Sequence, residues 1–259
     1  MSILAQIRAE REQDVAEAMC RRPLRLLEDE LAQAPPPRDF AAALTAPGGI
    51  KIIAEIKRAS PSAGVIRADL SPAEIAREYT RGGATALSVL TEPRHFRGSL
   101  ADLSGVRTAT HLPLLRKDFL FCRYQMLEAR AAGADAVLLI VAMLSRAELR
   151  DLLAVAAELG LAALVEVHTA REVKTALEAG ARIIGINNRN LRTMRVDTQT
   201  ALRLRRRLGP GIIAVAESGI RNRTDVRRLQ EAGFHAVLVG EALMRSADPG
   251  AAVAALLND

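Results

Sequence analysis

After residue 48 the chain alternates two patterns. Segments such as SPAEIAREYTRGG (71–83) and DVRRLQEAGF (225–234) carry apolar residues at helical spacing and end in Gly-Gly or Ala-Gly-Phe. Each joins a short aliphatic or β-branched run. GGATALSVL, AGADAVLLI, LGLAALVEV, AGARIIGIN, GPGIIAVAE and AGFHAVLVG repeat this phrase, and IKIIAEI and HLPLLRK add two more runs. The pattern predicts eight strands near residues 50–56, 84–90, 112–116, 135–141, 161–167, 182–187, 212–217 and 236–240. The glycines predict left-handed helix caps, a conformation that costs a residue with a Cβ more. Runs that are apolar along their whole length read as parallel strands covered on both faces.

Eight alternating units in this length predict an α/β fold, a (β/α)8 (TIM) barrel over residues 49–259 with an N-terminal helical extension over residues 1–48. An open doubly wound sheet is the alternative. It would show a nucleotide-binding glycine fingerprint after its first strand, and none is present. In the extension, ILAQIRAEREQDVAEAM and PLRLLEDELAQ read as two amphipathic helices closed off by Pro35, Pro36 and Pro37. Their apolar faces need a cover, and one mouth of the barrel is the expected surface.

With 49% hydrophobic and 25% charged residues, composition describes a globular protein with no linker. The N-terminus has no apolar signal core, and the longest apolar run, AVLLIVAML, is too short to span a bilayer. A cytoplasmic location is expected, with no membrane partner. Cys20 and Cys122 lack paired spacing and read as reduced thiols of no special role. The net charge of +6 comes from arginines interleaved with Asp and Glu along helices, which reads as a solvated surface. With no Trp and two Tyr the chain also lacks the stacking platforms of single-strand binders, so no nucleic-acid partner is expected. A positive field equally suits a small anionic substrate.

Against 36 basic residues, only Lys51, Lys57, Lys117 and Lys174 are lysine. Arginine stays protonated whereas lysine can release its proton, so a lysine retained at a strand end is a candidate for chemistry. Lys57 and Lys117 both lie where a buried strand opens into a loop. Barrel active sites form at the C-terminal strand ends, and polar residues gather there. The first strand ends in Glu55 and Lys57, which point to one side because they are two residues apart. The third ends in Lys117 and Asp118, the fifth in Glu166, the sixth in Asn187, Asn188 and Arg189, and the seventh in Glu217 and Ser218. Arg189 and Asp118 read equally as rim salt bridges, and Asn187 as a loop cap. Glu55, Lys57, Lys117 and Glu166 come directly off buried strands, where an unpaired charge is costly, so ion pairing or catalysis is expected. ESGIRN and VGEALM after strands seven and eight each set a glycine before a helix, which predicts a phosphate seat. The four histidines lack ligand spacing, and no GxSxG elbow or P-loop occurs. Neither a metal nor a cofactor is expected. On these residues alone an aldolase with a Schiff-base lysine is a competing enzyme, and a basic RNA-binding barrel is the reading from charge.

Seven segments together resemble the indole-3-glycerol phosphate synthase family: AEIKRASPSAG (54–64), ALSVLTEPRHFRGSLADL (86–103), LLRKDFLFCRYQMLEARAAGADAVLLI (114–140), LVEVHT (164–169), GINNRNL (185–191), AESGI (216–220) and VLVGEALM (237–244). The resemblance spans the barrel and includes the N-terminal extension. It implies cofactor-free ring closure of 1-(o-carboxyphenylamino)-1-deoxyribulose 5-phosphate to indole-3-glycerol phosphate, with loss of carbon dioxide and water, in tryptophan biosynthesis. By the same resemblance Lys117 is the general acid at the ketone, and Glu166 stabilises the cationic intermediate and assists dehydration. Lys57 holds anionic groups, with a second acid's role open to it, and Glu55 orients a lysine. Asn187, Glu217 and Ser218 position the substrate. Ser60 and Pro61 line its carboxylate end, Phe96, Phe119, Leu138 and Leu191 form the apolar slot, and Arg189 joins the substrate site. Gly219, Gly240 and Glu241 offer backbone N–H groups to the phosphate. His95 stands where many relatives carry an aromatic residue, and Glu241 where others carry Ser. A single barrel is expected, without a fused isomerase. A monomer is expected, with a homodimer as the alternative.

Overall fold

The computed structural model describes residues 3–31, 34–69, 71–191 and 193–258. Eight parallel strands close into a barrel: β1 (Lys51–Ile56), β2 (Ala86–Leu90), β3 (Leu114–Lys117), β4 (Ala136–Ile140), β5 (Ala162–Val167), β6 (Ile183–Asn187), β7 (Ile213–Glu217) and β8 (Ala236–Val239). β1 closes the ring, with Ala54 in register with both Leu87 and Val239. Each predicted strand is present, with ends within two residues of the sequence reading. Five predicted helix caps are found, Gly83, Gly133, Gly160, Gly180 and Gly233, all with positive φ; Gly211 also has positive φ but lies in the turn before β7, past a helix that ends at Arg205 with C-cap Arg206.

Two apolar shells result from the alternation of side chains along each strand. Outward residues such as Ile52, Leu87, Val137, Val165 and Ile184 pack beneath the helices. Inward residues such as Ile53, Leu115, Leu138, Leu164, Val215 and Leu238 fill the barrel.

The N-terminal extension is built differently from the expectation of two helices over one mouth. Helix α1 (Ile3–Arg21) lies across the C-terminal mouth, where Ile3, Leu4 and Ile7 reach the central cavity. Helix α2 (Leu24–Leu31) packs on the outer helix Arg123–Ala131. The last two residues of the predicted second helix, 32 and 33, lie outside the described residues. A third helix, α3 (Phe40–Thr45), was not read from the sequence; Asp39 caps it by accepting from the Ala42 N–H. Its Phe40 and Leu44 are buried with the interior residues Ala86, Ala136 and Ala236 at the strand starts, so α3 plugs the opposite end. Small residues at those strand starts leave room for the plug.

The arginines are not all surface groups, as the charge pattern suggested. Arg116, on the outward side of β3, is 1% exposed. It donates to Thr91 Oγ1, the Gln125 carbonyl and Asp118 Oδ2 at 3.1, 2.8 and 3.0 Å, and lies 3.5 Å from Glu128. Asp118 also accepts from Arg11 of α1 at 3.1 Å. That chain continues through Asp14 to Arg94, tying α1 to the strand end that carries Lys117. Arg116→Met is expected to cost about 3 kcal/mol of stability, because two buried carboxylates lose a cation. The denaturant midpoint measures it, and an unchanged midpoint would contradict the role.

Candidate active site

Alternate strands of a barrel contribute to one interior layer. At the C-terminal mouth the odd strands supply Glu55 from β1, Lys117 from β3, Glu166 from β5 and Glu217 from β7. The Lys117 ammonium sits among the three carboxylates, 3.5 Å from Glu166, 3.7 Å from Glu217 and 4.0 Å from Glu55. The layer fits because β6 has Gly185 beneath it: a Cβ there would lie 2.1 Å from Glu217 Oε1.

Two cations outside the layer reduce its negative excess. Lys57 Nζ donates to Glu55 Oε1 at 2.6 Å, as their shared side of β1 required. His168, just past β5, places Nε2 3.2 Å from Glu166 Oε1 and Nδ1 3.2 Å from Glu172 Oε2. The contact with Glu166 is an ion pair and not an aligned hydrogen bond. Among the described residues Glu217 shares Lys117 but pairs with no second cation, and its Oε1 is buried without a hydrogen-bond partner.

The ionisation pattern follows from this geometry. Burial alone would lower the Lys117 ammonium, but the carboxylates of Glu166, Glu217 and Glu55 outweigh it and hold the pKa above the ordinary lysine value. Burial opposes ionisation of Glu166 and Glu55 too, yet Lys117 beside the first, and Lys57 and Lys117 beside the second, depress both pKa values. Glu217 is raised, first by burial and then by repulsion from Glu166, so it is the carboxyl of the layer that keeps a proton most readily. Burial would lower His168, but the neighbouring carboxylates of Glu166 and Glu172 push it up to about 10.

Above the layer is a cavity of about 510 Å³. Every site residue singled out from the sequence lines it except Asn188, whose side chain bonds the Ser218 carbonyl and the Ala201 N–H instead. Lys117, Glu166, Lys57, Glu55 and Glu217 form its floor, and Asn187 and Ser218 extend from β6 and β7. Ser60 and Pro61 sit in a hairpin, Ala59–Ser60 with Gly64–Val65, that was not predicted. Phe96 and Phe119 face each other with centroids 6.1 Å apart, and Leu138 and Leu191 complete an apolar wall. Arg189 lines the cavity while donating to the Met194 carbonyl at 3.2 Å. Asp118 touches the cavity, but it is 2% exposed and saturated by Arg116, Arg11, Thr91 and its neighbour's N–H, so it is a structural node.

Gly219, Gly240 and Glu241 line the far wall. Ser218 and Gly219 have φ of +64° and +78°, and Asn188 Nδ2 holds that turn by donating to the Ser218 carbonyl at 2.9 Å. A Cβ on Gly240 would come 2.4 Å from Glu55 Oε1 and 3.0 Å from Lys57 Nζ, so only glycine lets the backbone approach there. Glu241 pairs with Arg245 at 3.1 Å, which neutralises the unusual acid. His95 bonds Glu10 of α1 at 2.6 Å through Nε2.

The sequence reading missed Ile3, Leu4 and Ile7 as cavity residues, since nothing in α1 signals which mouth it covers. It also missed Arg221 and Arg245 on the far wall and His168 behind Glu166. The VEVH run at the end of β5 was the available signal for His168: Glu166 and His168 are two residues apart, so they share a side. Among the described residues no group of three or more His, Cys, Asp or Glu could hold a metal ion, and no helix is long and apolar enough to cross a membrane.

Fold and site together define a (β/α)8 barrel with a lysine ringed by carboxylates at its C-terminal mouth. The chain belongs to the indole-3-glycerol phosphate synthase family, whose sequence profile matches residues 4–256. It is 51% identical to indole-3-glycerol phosphate synthase 2 of Streptomyces coelicolor over 99% of both chains. It is 48% identical to the indole-3-glycerol phosphate synthase of Chromobacterium violaceum over 98% of this chain and 97% of that one. Among solved structures, 3-hexulose-6-phosphate synthase from Salmonella typhimurium superposes with a TM-score of 0.64 at 14% identity, covering 80% of this chain and 96% of that one. At that identity the likeness concerns the fold alone.

Proposed function

We propose that this cavity closes the pyrrole ring of indole-3-glycerol phosphate from 1-(o-carboxyphenylamino)-1-deoxyribulose 5-phosphate, releasing carbon dioxide and water. The observation that carries this reading is the single ammonium of Lys117 held among Glu166, Glu217 and Glu55 beneath an aromatic slot. Ring closure needs a proton at the ketone oxygen while an aromatic carbon attacks, and a pocket that presses the two together. Lys117 donates that proton. Glu166 stabilises the cationic intermediate and takes part in the proton transfers of dehydration. Lys57 holds the substrate's anionic groups, and Glu55, bonded to Lys57 and near Lys117, orients both lysines. Phe96, Phe119, Leu138 and Leu191 take the aniline ring, with Ser60 and Pro61 at its carboxylate. Asn187, Ser218, Glu217 and Arg189 position the chain of the sugar. Backbone N–H groups at Gly219, Gly240 and Glu241 hold the phosphate, with the Glu241 side chain turned to Arg245.

A Schiff-base mechanism is disfavoured at Lys117 on physical grounds. It needs a neutral amine and therefore a depressed pKa, whereas the surrounding carboxylates raise it. Residues 1–48 form an extension folded on the catalytic barrel, 49–259, and the protein works as a cytoplasmic monomer without cofactor.

The test is direct. Purified protein given the substrate, without metal or nucleotide, is expected to produce indole fluorescence on a low background, since the chain has no Trp. Folded protein that forms no indole from authentic substrate would remove the assignment.

A further inference from the structure

The loop leaving β5 holds one group that the reaction above does not use. His168 is followed by Thr169, which caps the helix Ala170–Ala179 by accepting from the Glu172 N–H at 3.2 Å. Glu172 Oε2 returns to accept from the His168 N–H at 2.7 Å, and the same oxygen lies 3.2 Å from His168 Nδ1. Main chain and ring are thus pinned by one carboxylate. The other ring nitrogen, Nε2, is buried and 3.2 Å from Glu166 Oε1. Glu166 Oε2 faces Lys117.

We infer that His168 is a positioning residue for Glu166, an imidazolium clamped between Glu166 and Glu172 that fixes which carboxylate oxygen faces Lys117 and keeps that carboxylate ionised. A helix cap alone would need only the backbone of residue 168. The ring has a further consequence because its charge lies against the far oxygen of Glu166. Rotation of the carboxylate that would turn both oxygens toward the cavity loses this ion pair. The charged and polar groups facing the pair are Glu172 from the helix, Lys117 from β3, Glu217 from β7, Glu55 from β1 and Asn187 from β6. Of the two cations beside Glu166, the lysine is the one the reaction needs as an acid, which leaves His168 as the fixed countercharge.

This inference rests on the role given to Glu166, and the test separates the two. Steady-state pH profiles would compare the parent with His168→Ala, His168→Gln and Glu166→Gln, with thermal melts as a check on folding. His168→Ala is expected to lower kcat on the order of tenfold with little change in KM. Losing the cation raises the Glu166 pKa, so the acid limb of kcat should move up by about one pH unit. His168→Gln keeps a neutral donor and should recover part of kcat while keeping the shifted limb. Parent-like kcat and acid limb in both variants, or a loss confined to KM or melting temperature, would overturn the inference. Glu166→Gln should abolish most turnover; if it turns over like the parent, the reading of Glu166 fails by that result alone and this inference falls with it. A measurement independent of turnover is NMR titration of the His168 ring. It should stay protonated well above neutrality in the parent and titrate lower in Glu166→Gln; a ring titrating near the ordinary histidine value in the parent also overturns the clamp.

Discussion

Lys117→Arg is expected to fold like the parent and to lose roughly a hundred- to ten-thousandfold in kcat, the usual worth of general acid catalysis. The substitution keeps the charge that Glu166, Glu217 and Glu55 surround, so the layer retains its ion pairs. What it removes is the compact, rotatable ammonium set to donate at the ketone oxygen, which a planar guanidinium on a longer side chain does not reproduce. The raised pKa of Lys117 sharpens the comparison. Its proton is present throughout the neutral range in the free protein, so loss of turnover cannot be assigned to a change in charge. Lys174 is the control: it lies on an outer helix, 3.8 Å from Glu178, and the same exchange there should be silent. Single-turnover measurements check the result. If Lys117→Arg turned over like the parent, Lys117 would be an anchor only and the acid's role would pass to Lys57.

Gly219→Val is expected to raise KM by tenfold or more, with a smaller change in kcat. A β-branched residue is strained at φ +78°, and its Cβ would lie 2.7 Å from Val196 Cγ1 and 3.0 Å from Thr198 Cγ2. Relief of that clash moves the turn whose backbone is proposed to hold the phosphate, while the Lys117 layer stays anchored on its strands. The binding term should therefore suffer more than the chemical one. Initial-rate kinetics, together with inorganic phosphate as a competitor, would measure it. An unchanged KM with unchanged phosphate inhibition would count against a seat at Gly219.

Periodicity was enough to place all eight strands, because a strand covered on both faces must be apolar along its length, and the glycine that precedes six of them in the repeated phrase takes a positive φ. The same logic exposed the floor of the site. Glu55, Lys57, Lys117, Glu166 and Glu217 are ionisable residues at the ends of otherwise apolar runs, where burial makes a charge conspicuous. The residues missed are those whose meaning depends on a partner distant in sequence. Arg116 looks like any other arginine of a basic chain until Asp118, Glu128 and Arg11 are seen around it. Ile3, Leu4 and Ile7 are an ordinary apolar helix face until α1 is placed over the cavity.

The sequence by itself determined the barrel, its helix caps, the strand ends where ionisable residues gather and the family to which the chain belongs. All of these depend on local spacing or on short runs of residues. Tertiary structure decided the rest, since contact between strands and helices far apart in the chain depends on closure of the barrel. Only closure brings the odd strands' Glu55, Lys117, Glu166 and Glu217 into one layer and opens Gly185 beneath them. Closure also sends α1 to one mouth and α3 to the other, and among the described residues leaves Glu217 as the carboxyl of the layer with a buried, unpartnered oxygen. Ionisation follows from those distances: charges a few ångströms apart in a buried layer set one another's pKa values, and no linear pattern of residues encodes that spacing.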